Sequence, residues 1–495
     1  MGAVHKRNAC QRFHTLIGSR FIPMGAIRTL FKMCINAIMM GNIMASVNTA
    51  SVKKMGLVAL TLVTASNMMG SGVFMLPTNL AGIGSISLFG WVITIVGVIA
   101  LALVFAKNSM VTPRDGGIIA YASDAFGPFI GFQTTICYWI SAWVGNVALL
   151  VAGVGYLSYF FPILKDPLVS SITAIVILWG FIALASLGAR VAGRSQSFTA
   201  CCMLVVVLGI GFIGWFWFKP ALFTEVYNGT KGSDASAILS AASLALWGFL
   251  GVESAVVSSG QVENPESTVP KATVLGLLIA AVCYVTSCSV IMGLVPHSEL
   301  VNSAAPFADA ARYMFGEFAG EVVSALSIIA CFGSISGWLI LQSEAPKAGA
   351  KQGLFPKFFA VVNKNDVPMK GLIFTGVLMT VVLLTTASPN LAKQFQVIVL
   401  MSVFASLLPY IYALVALPII MVAKSLNKGR GFIFYCTLAV IGILYSLFAL
   451  FGSGGNAMFW GVLMMMLTIP LYALVAAKRS KSGIKTLYLD SEEWP

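Results

Sequence analysis

Apolar residues run through this chain in long blocks separated by short clusters of charge, and the blocks exceed the length of an ordinary soluble helix or strand. A helix needs about 20 mostly apolar residues to cross the hydrocarbon core of a bilayer. Reading from one charge cluster to the next predicts twelve such spans: 56–83, 87–106, 128–160, 167–188, 195–218, 236–260, 272–296, 322–343, 371–389, 395–423, 431–452 and 456–477. An even number of crossings puts both termini on one side.

Two of these spans break the apolar pattern. The first carries Asn67-Met68-Met69-Gly70-Ser71-Gly72, and the sixth carries Trp247-Gly248-Phe249-Leu250-Gly251-Val252-Glu253-Ser254. Glycine costs about 1 kcal/mol in a helix interior, and each unpaired backbone group in lipid costs a few kcal/mol more. Such an interruption persists only where something uses the freed groups. Either motif alone also reads as small residues that let helices pack closely. Two interruptions five spans apart, one of them beside an acid, instead fit two inverted five-helix units whose half-helix ends face one midplane site. Amide-rich and carbonyl-rich ends together suit a zwitterion.

Composition agrees with lipid as the solvent: 58% of the 495 residues are hydrophobic and 9% charged, where a soluble domain carries about a quarter charged residues. A cytosolic enzyme, a nucleic-acid binder and a disordered chain are excluded. The net charge of +13 is spread along the chain, and of the 30 Lys and Arg residues only Lys165, Lys219, Lys231, Arg312 and Lys393 fall opposite the termini. By the positive-inside rule both termini are cytoplasmic. Residues 1–52 form a basic extension, expected to be disordered or to reflect translation upstream of the true start. Residues 53–218 hold the first five spans, 236–423 the next five, 431–477 the last two, and 478–495 a polar cytoplasmic tail.

Candidate chemistry is sparse. Among the 17 Asp and Glu residues only Glu253 falls within a span, with no Lys, Arg or His at that depth to pair with it. Its charge must meet water, a cationic cargo or a proton, unless backbone hydrogen bonds hold it neutral. Tyr138, Trp139, Trp143, Asn146, Trp247, Trp338, Ser402 and Tyr410 are the other suggestive polar or aromatic residues in uncharged stretches. Tryptophan faces attract ammonium and guanidinium groups, although a single transmembrane Trp more often anchors or packs. The nine cysteines are odd in number and show no metal-type spacing, so neither metal nor cofactor is expected. A membrane enzyme would need a catalytic cluster, yet His5, His14 and His297 lie outside the spans. A channel would need polar rings on several helices.

With these residues in view, the chain resembles the amino acid/polyamine/organocation (APC) superfamily, in its bacterial branch of basic amino acid and polyamine antiporters. The likeness runs from about Lys53 to Lys478 and is carried by NMMGSGVFMLPTNLA (67–81), YWISAWVGN (138–146), GVGYLSYFFPILKDPLV (153–169), LWGFLGVESA (246–255), ENPESTVPKAT (263–273) and GLFPKFFAVVNK (353–364). Segments 153–169 and 246–255 are nearest to arginine/agmatine members. The resemblance implies an all-α polytopic protein of the LeuT-like fold: twelve transmembrane helices, two inverted five-helix repeats followed by two C-terminal helices, with helices 1 and 6 discontinuous.

It also implies roles. Ser71 and the Gly72 amide would hold a substrate carboxylate, and carbonyls near Met68, Trp247 and Leu250 its α-ammonium. Trp338 would cover the aliphatic stem, with Asn146, Ser402 and the backbone of Ser141 and Ala142 at the far end. Tyr138, Glu253 and Tyr410 would form an inner gate, while Trp247 and Trp338 would close over the cargo. The expected activity is exchange of external arginine for internal agmatine in a bacterial inner membrane, linked to a cytoplasmic arginine decarboxylase and acid resistance. Ornithine/putrescine or lysine/cadaverine exchange is the alternative, and assembly as a homodimer is left open. Two departures from the family pattern, Ser141-Ala142 in place of Ala-Cys and Ile119 in place of a tyrosine tied to pH sensing, bear on the fit of the cargo and on acid dependence.

Overall fold

The computed structural model describes residues 56–112, 117–187, 189–257, 262–351 and 355–481. The expected extension 1–52 and the tail from 482 onward lie outside them. Among the described residues every regular element is helical. Nine helices are long and apolar enough to cross a membrane, and three shorter apolar helices, Leu57–Met69, Asp234–Trp247 and Met369–Thr385, accompany them.

The first span is broken as its glycines predict. Helix α1 (Leu57–Met69) stops at Gly70, a tight turn of 3-10 helix covers Ser71–Phe74, and α2 (Leu76–Ile83) begins afresh with Pro77 in its first turn, where a missing N–H costs nothing. Continuous spans α3 (Ser87–Val111), α5 (Pro128–Leu157) and α6 (Pro167–Ala185) follow, with a short helix α4 (Ile118–Phe126) between α3 and α5. The fifth span is less regular than its apolar sequence implies. Helix α7 (Ala189–Leu208) widens into a π turn at Gly209–Ile213 and then tightens to 3-10 at Gly214–Trp217.

The sixth span begins as α8 (Asp234–Trp247), with the Ser233 hydroxyl accepting from the Ser236 amide at 3.4 Å. It tightens at its end: Gly248 N–H donates to Ala245 O, Phe249 N–H to Leu246 O and Leu250 N–H to Trp247 O, at 3.1, 2.9 and 3.3 Å. Gly251 then takes φ +102°, a conformation that only glycine enters without strain, and a four-residue helical turn resumes at Ser254–Val257. Beyond it come α9 (Pro265–Met292), α10 (Pro306–Phe315), α11 (Glu317–Lys351), α12 (Met369–Thr385), α13 (Leu391–Ala423), α14 (Arg430–Gly452) and α15 (Gly455–Lys481). The span expected from 395 is one continuous apolar helix, α13, which accommodates Pro409 and Pro418 in its interior.

The halves exchange partners. Helix α1 packs on α9 as α8 packs on α3, and α5 packs on α13 as α11 packs on α7. Swapping the first five spans for the second five converts each contact into the other. The loops repeat this: α4 precedes the third span and α10 the eighth, and each ends at a glycine of positive φ, Gly127 at +86° and Gly316 at +89°. Neither short helix was expected, because a search for 20-residue apolar windows passes over amphipathic turns that carry Asp124, Asp309 and Arg312.

Loops that follow the fifth and seventh spans fasten α2 and its exit turn. Gly229 N–H donates to Ile83 O at 2.8 Å, while Ser85 and Ile86 amides donate to Val226 and Tyr227 carbonyls at 2.9 and 3.0 Å. Thr78 Oγ1 donates to Ser303 O at 3.0 Å. The Ser303 hydroxyl in turn bonds the Asp309 carboxylate, beside which Arg312 pairs with Glu299.

Candidate functional site

The two breaks face one cavity, which α5, α11 and α13 complete. About 570 Å³ of space free of protein atoms lies between its walls, counting the part open to solvent. Of the residues singled out in the sequence, Met68 and Gly72 line it from the first break and Trp247, Leu250 and Glu253 from the second. Tyr138, Ser141, Ala142 and Asn146 line it from α5, Trp338 from α11, and Ser402 and Tyr410 from α13. Ser71 sits in the 3-10 turn between α1 and α2, and its side chain lies outside the described set. Trp139 and Trp143 pack against each other and do not reach the cavity: Trp139 also stacks on Phe374 and meets Phe355 and Phe359 edge-on.

Trp247 is wedged between two glycines. A Cβ at Gly72 would lie 2.5 Å from the Trp247 Nε1, and one at Gly145 would lie 3.0 Å from the opposite edge of the ring. Phe395 meets the same ring edge-on at 6.4 Å. Close approach to the indole therefore explains why the 3-10 turn of the first break and α5 need glycine at these points. The indole N–H is buried without a hydrogen-bond partner among the described residues.

Glu253 is 4% exposed and accepts three hydrogen bonds: from Tyr138 Oη at 3.2 Å, Tyr410 Oη at 2.7 Å and the Gly251 amide at 3.2 Å. The amide can only donate, whereas each tyrosine hydroxyl can serve an ionised or a neutral carboxyl. Two tyrosines from different spans and one backbone amide thus share one carboxyl. Above it a serine cluster joins α5 to α13. Ser402 Oγ donates to Ser141 O at 2.8 Å, Ser406 Oγ to Ser402 O at 3.0 Å, and the Ser141 hydroxyl contacts both other hydroxyls. At Ser141 the side chain, and not only the backbone expected from the resemblance, takes part.

Two important residues escaped the sequence reading. Tyr284 of α9, fully buried, places its Oη 2.7 Å from both Met68 O and Gly248 O. One hydroxyl thus spans the two breaks. Its ring stacks on Trp91 and meets Phe249 edge-on. Gln342 of α11, 1% exposed, accepts from Asn146 Nδ2 at 2.6 Å. No spacing marks either one, because a tyrosine or glutamine in an apolar helix shows its partner only after folding. Two carbonyls assigned to an α-ammonium are already engaged, Met68 O by Tyr284 and Trp247 O by the Leu250 amide. Each carbonyl oxygen retains a second lone pair for a ligand.

A cavity set between two interrupted helices and closed by packed spans is the site of a membrane carrier, and the fold defines a multi-pass transporter. The sequence matches the amino acid permease family over residues 55–476, and the chain belongs to that family. It is 39% identical to the putrescine transporter PotE of Haemophilus influenzae over 87% of this chain and 99% of that protein. Identity to the PotE protein of Escherichia coli is likewise 39%, over 87% and 98%. A cadaverine/lysine antiporter of Escherichia coli is 36% identical over 86% of this chain and 95% of its own length. These relatives are transporters, not enzymes.

Proposed function

We propose that this transporter exchanges a basic amino acid for the diamine that its decarboxylation leaves. The observation that carries the proposal is the character of the cavity. It holds one carboxylate, Glu253, aromatic faces, hydroxyls and open backbone, and no Lys, Arg or His among its described lining residues. Such a lining attracts cations yet lacks a second fixed anion that would hold a dication too tightly to release.

The relatives support ornithine/putrescine or lysine/cadaverine as the pair, ahead of the arginine/agmatine exchange suggested by segments 153–169 and 246–255. In any of these pairs Gly72 and Ser71 receive the carboxylate of the amino acid. The Met68, Trp247 and Leu250 carbonyls face its α-ammonium, Trp338 covers the stem, and Ser141, Ala142, Asn146 and Ser402 surround the distal nitrogen. The diamine lacks the carboxylate and is held by the stem and distal contacts. Tyr138, Glu253 and Tyr410 form the gate on one side of the cargo, with Trp247 and Trp338 moving over it. The two five-helix units then rock about the fixed site, which opens to one face at a time.

The charge asymmetry of the lysines and arginines supports cytoplasmic termini for a protein of the bacterial inner membrane. Each cycle then exports one net positive charge, against about 2.3 kcal/mol per 100 mV of inside-negative potential. The amino acid and diamine gradients must exceed that cost. A cytoplasmic decarboxylase maintains both gradients and consumes one proton per turnover, so exchange removes acid. Counterflow tests the proposal: labelled lysine, ornithine or arginine should enter proteoliposomes only when a basic amino acid or diamine is trapped inside. Uptake into empty vesicles overturns exchange, and competition among putrescine, cadaverine and agmatine identifies the pair.

A further inference from the structure

Beyond the residues that line the cavity, the amide pair on its α5–α11 wall is unusually constrained. Gln342 stands one turn beyond Trp338 on α11 and is buried away from the cavity, between Asn146 of α5 and Met379 of α12. Its Nε2 lies 3.9 Å from Met379 Sδ, and its Oε1 accepts from Asn146 Nδ2 at 2.6 Å. A thioether sulfur is a weak acceptor and never a donor. The Gln342 nitrogen therefore faces the sulfur and its oxygen faces Asn146. Asn146 must meet that oxygen with its own nitrogen, which leaves Asn146 Oδ1 without a protein partner among the described residues, on a side chain that lines the cavity.

We propose that Gln342 is a specificity-determining positioning residue: by fixing the Asn146 amide it presents an acceptor to the cavity, so that the distal end of the cargo must be a hydrogen-bond donor such as an ammonium or guanidinium. The inference rests on the exchange of cationic amines proposed above and adds to it the group that enforces the choice. A cargo ending in a methyl leaves Oδ1 desolvated and unpaired, and one ending in a carboxylate sets acceptor against acceptor. Nothing in Gln342 need touch the cargo for this to hold.

The test compares lysine with norleucine, which has the same α-amino acid head and a stem ending in methyl, as competitors of labelled lysine exchange in proteoliposomes. In Q342L the Asn146 amide is free to turn. The affinity for lysine and cadaverine should fall about tenfold, the size of one hydrogen bond to a charged group, while that for norleucine changes less than twofold. Q342E keeps an acceptor for Asn146 and should retain most of the discrimination. On an N146A background Q342L should add nothing. Q342M, with only a weak acceptor, makes the same comparison should Q342L fail to fold. Equal losses for lysine and norleucine, or additive effects with N146A, overturn the positioning role. Wild-type protein that exchanges no basic amino acid or diamine instead overturns the function on which it rests.

Discussion

The two interrupted helices begin alike and end differently. Each opens with a half-helix of about four turns, 13 residues in α1 and 14 in α8, and each breaks at a pair of glycines. The first break contains no ionisable group, is bridged by a single 3-10 turn and continues into α2, which neighbouring loops fasten by backbone bonds. The second break contains Gly251 in a glycine-only conformation and Glu253 under two tyrosines. They also touch: a Cβ at Gly251 would lie 3.2 Å from Asn67 O. One break thus offers the cavity backbone alone, and the other adds the one acidic side chain of the described lining. The difference teaches that pseudo-symmetry supplies the cavity while local sequence divides its tasks.

The largest effect should come from filling the contact between the breaks. Gly72→Ala sets a methyl against the Trp247 indole, which is itself wedged by Gly145 and Phe395, and exchange should fall at least a hundredfold while the protein still inserts. Near-normal counterflow in G72A would show that Trp247 is not fixed there. Next, Trp338→Ala removes an aromatic face worth about 1–2 kcal/mol to a desolvated cation. Competition assays should then show both the amino acid and the diamine bound roughly tenfold more weakly, whereas Ser71→Lys, by filling the head end at the first break, should block the amino acid.

Tyr284→Phe separates the breaks without touching either one. It removes the one hydrogen that two carbonyls share in the membrane interior, at about 1–3 kcal/mol, and thermal unfolding in detergent should shift down while the glycine contacts persist. Glu253→Gln sharpens the contrast by leaving both breaks uncharged. Exchange measured from pH 5 to 8 should then lose most of its pH dependence, with a smaller change in affinity. An unaltered profile would remove Glu253 from proton-linked gating.

The smallest effect tests the loop fastening that the first break possesses. Burial holds the Asp309 carboxyl above its ordinary value of 3.8, and the Ser303 and Arg312 contacts offset this only in part. The folded state therefore binds this proton more tightly than the unfolded state, so the contribution is present at low pH and is lost as pH rises through the raised value. Asp309→Asn should flatten that part of the stability profile, read as melting temperature from pH 4 to 7, and should leave exchange unchanged.

Much of this was legible before folding, for physical reasons. Lipid forces long apolar runs, so the spans stand out, and Glu253 is conspicuous because no other acid shares its depth. Glycines at 70, 72, 248 and 251 mark breaks, since a continuous helix gains nothing from them. What could not be read are relationships made across more than 100 residues. Tyr284 meets Met68 across 216 positions and Asn146 meets Gln342 across 196, and neither leaves a local pattern. The helices α4 and α10 were hidden for the opposite reason, being too short and too polar to register as spans. The identity of the distal amine is finer still, since one methylene separates ornithine from lysine and adds little to any residue pattern.

Tyr284 carries a last consequence. A phenol owns a single hydrogen, and here two peptide oxygens from different half-helices stand at equal range of it. Sharing that hydrogen ties both rods to one point on α9, so neither rod can slide along that helix without lengthening its bond to the phenol.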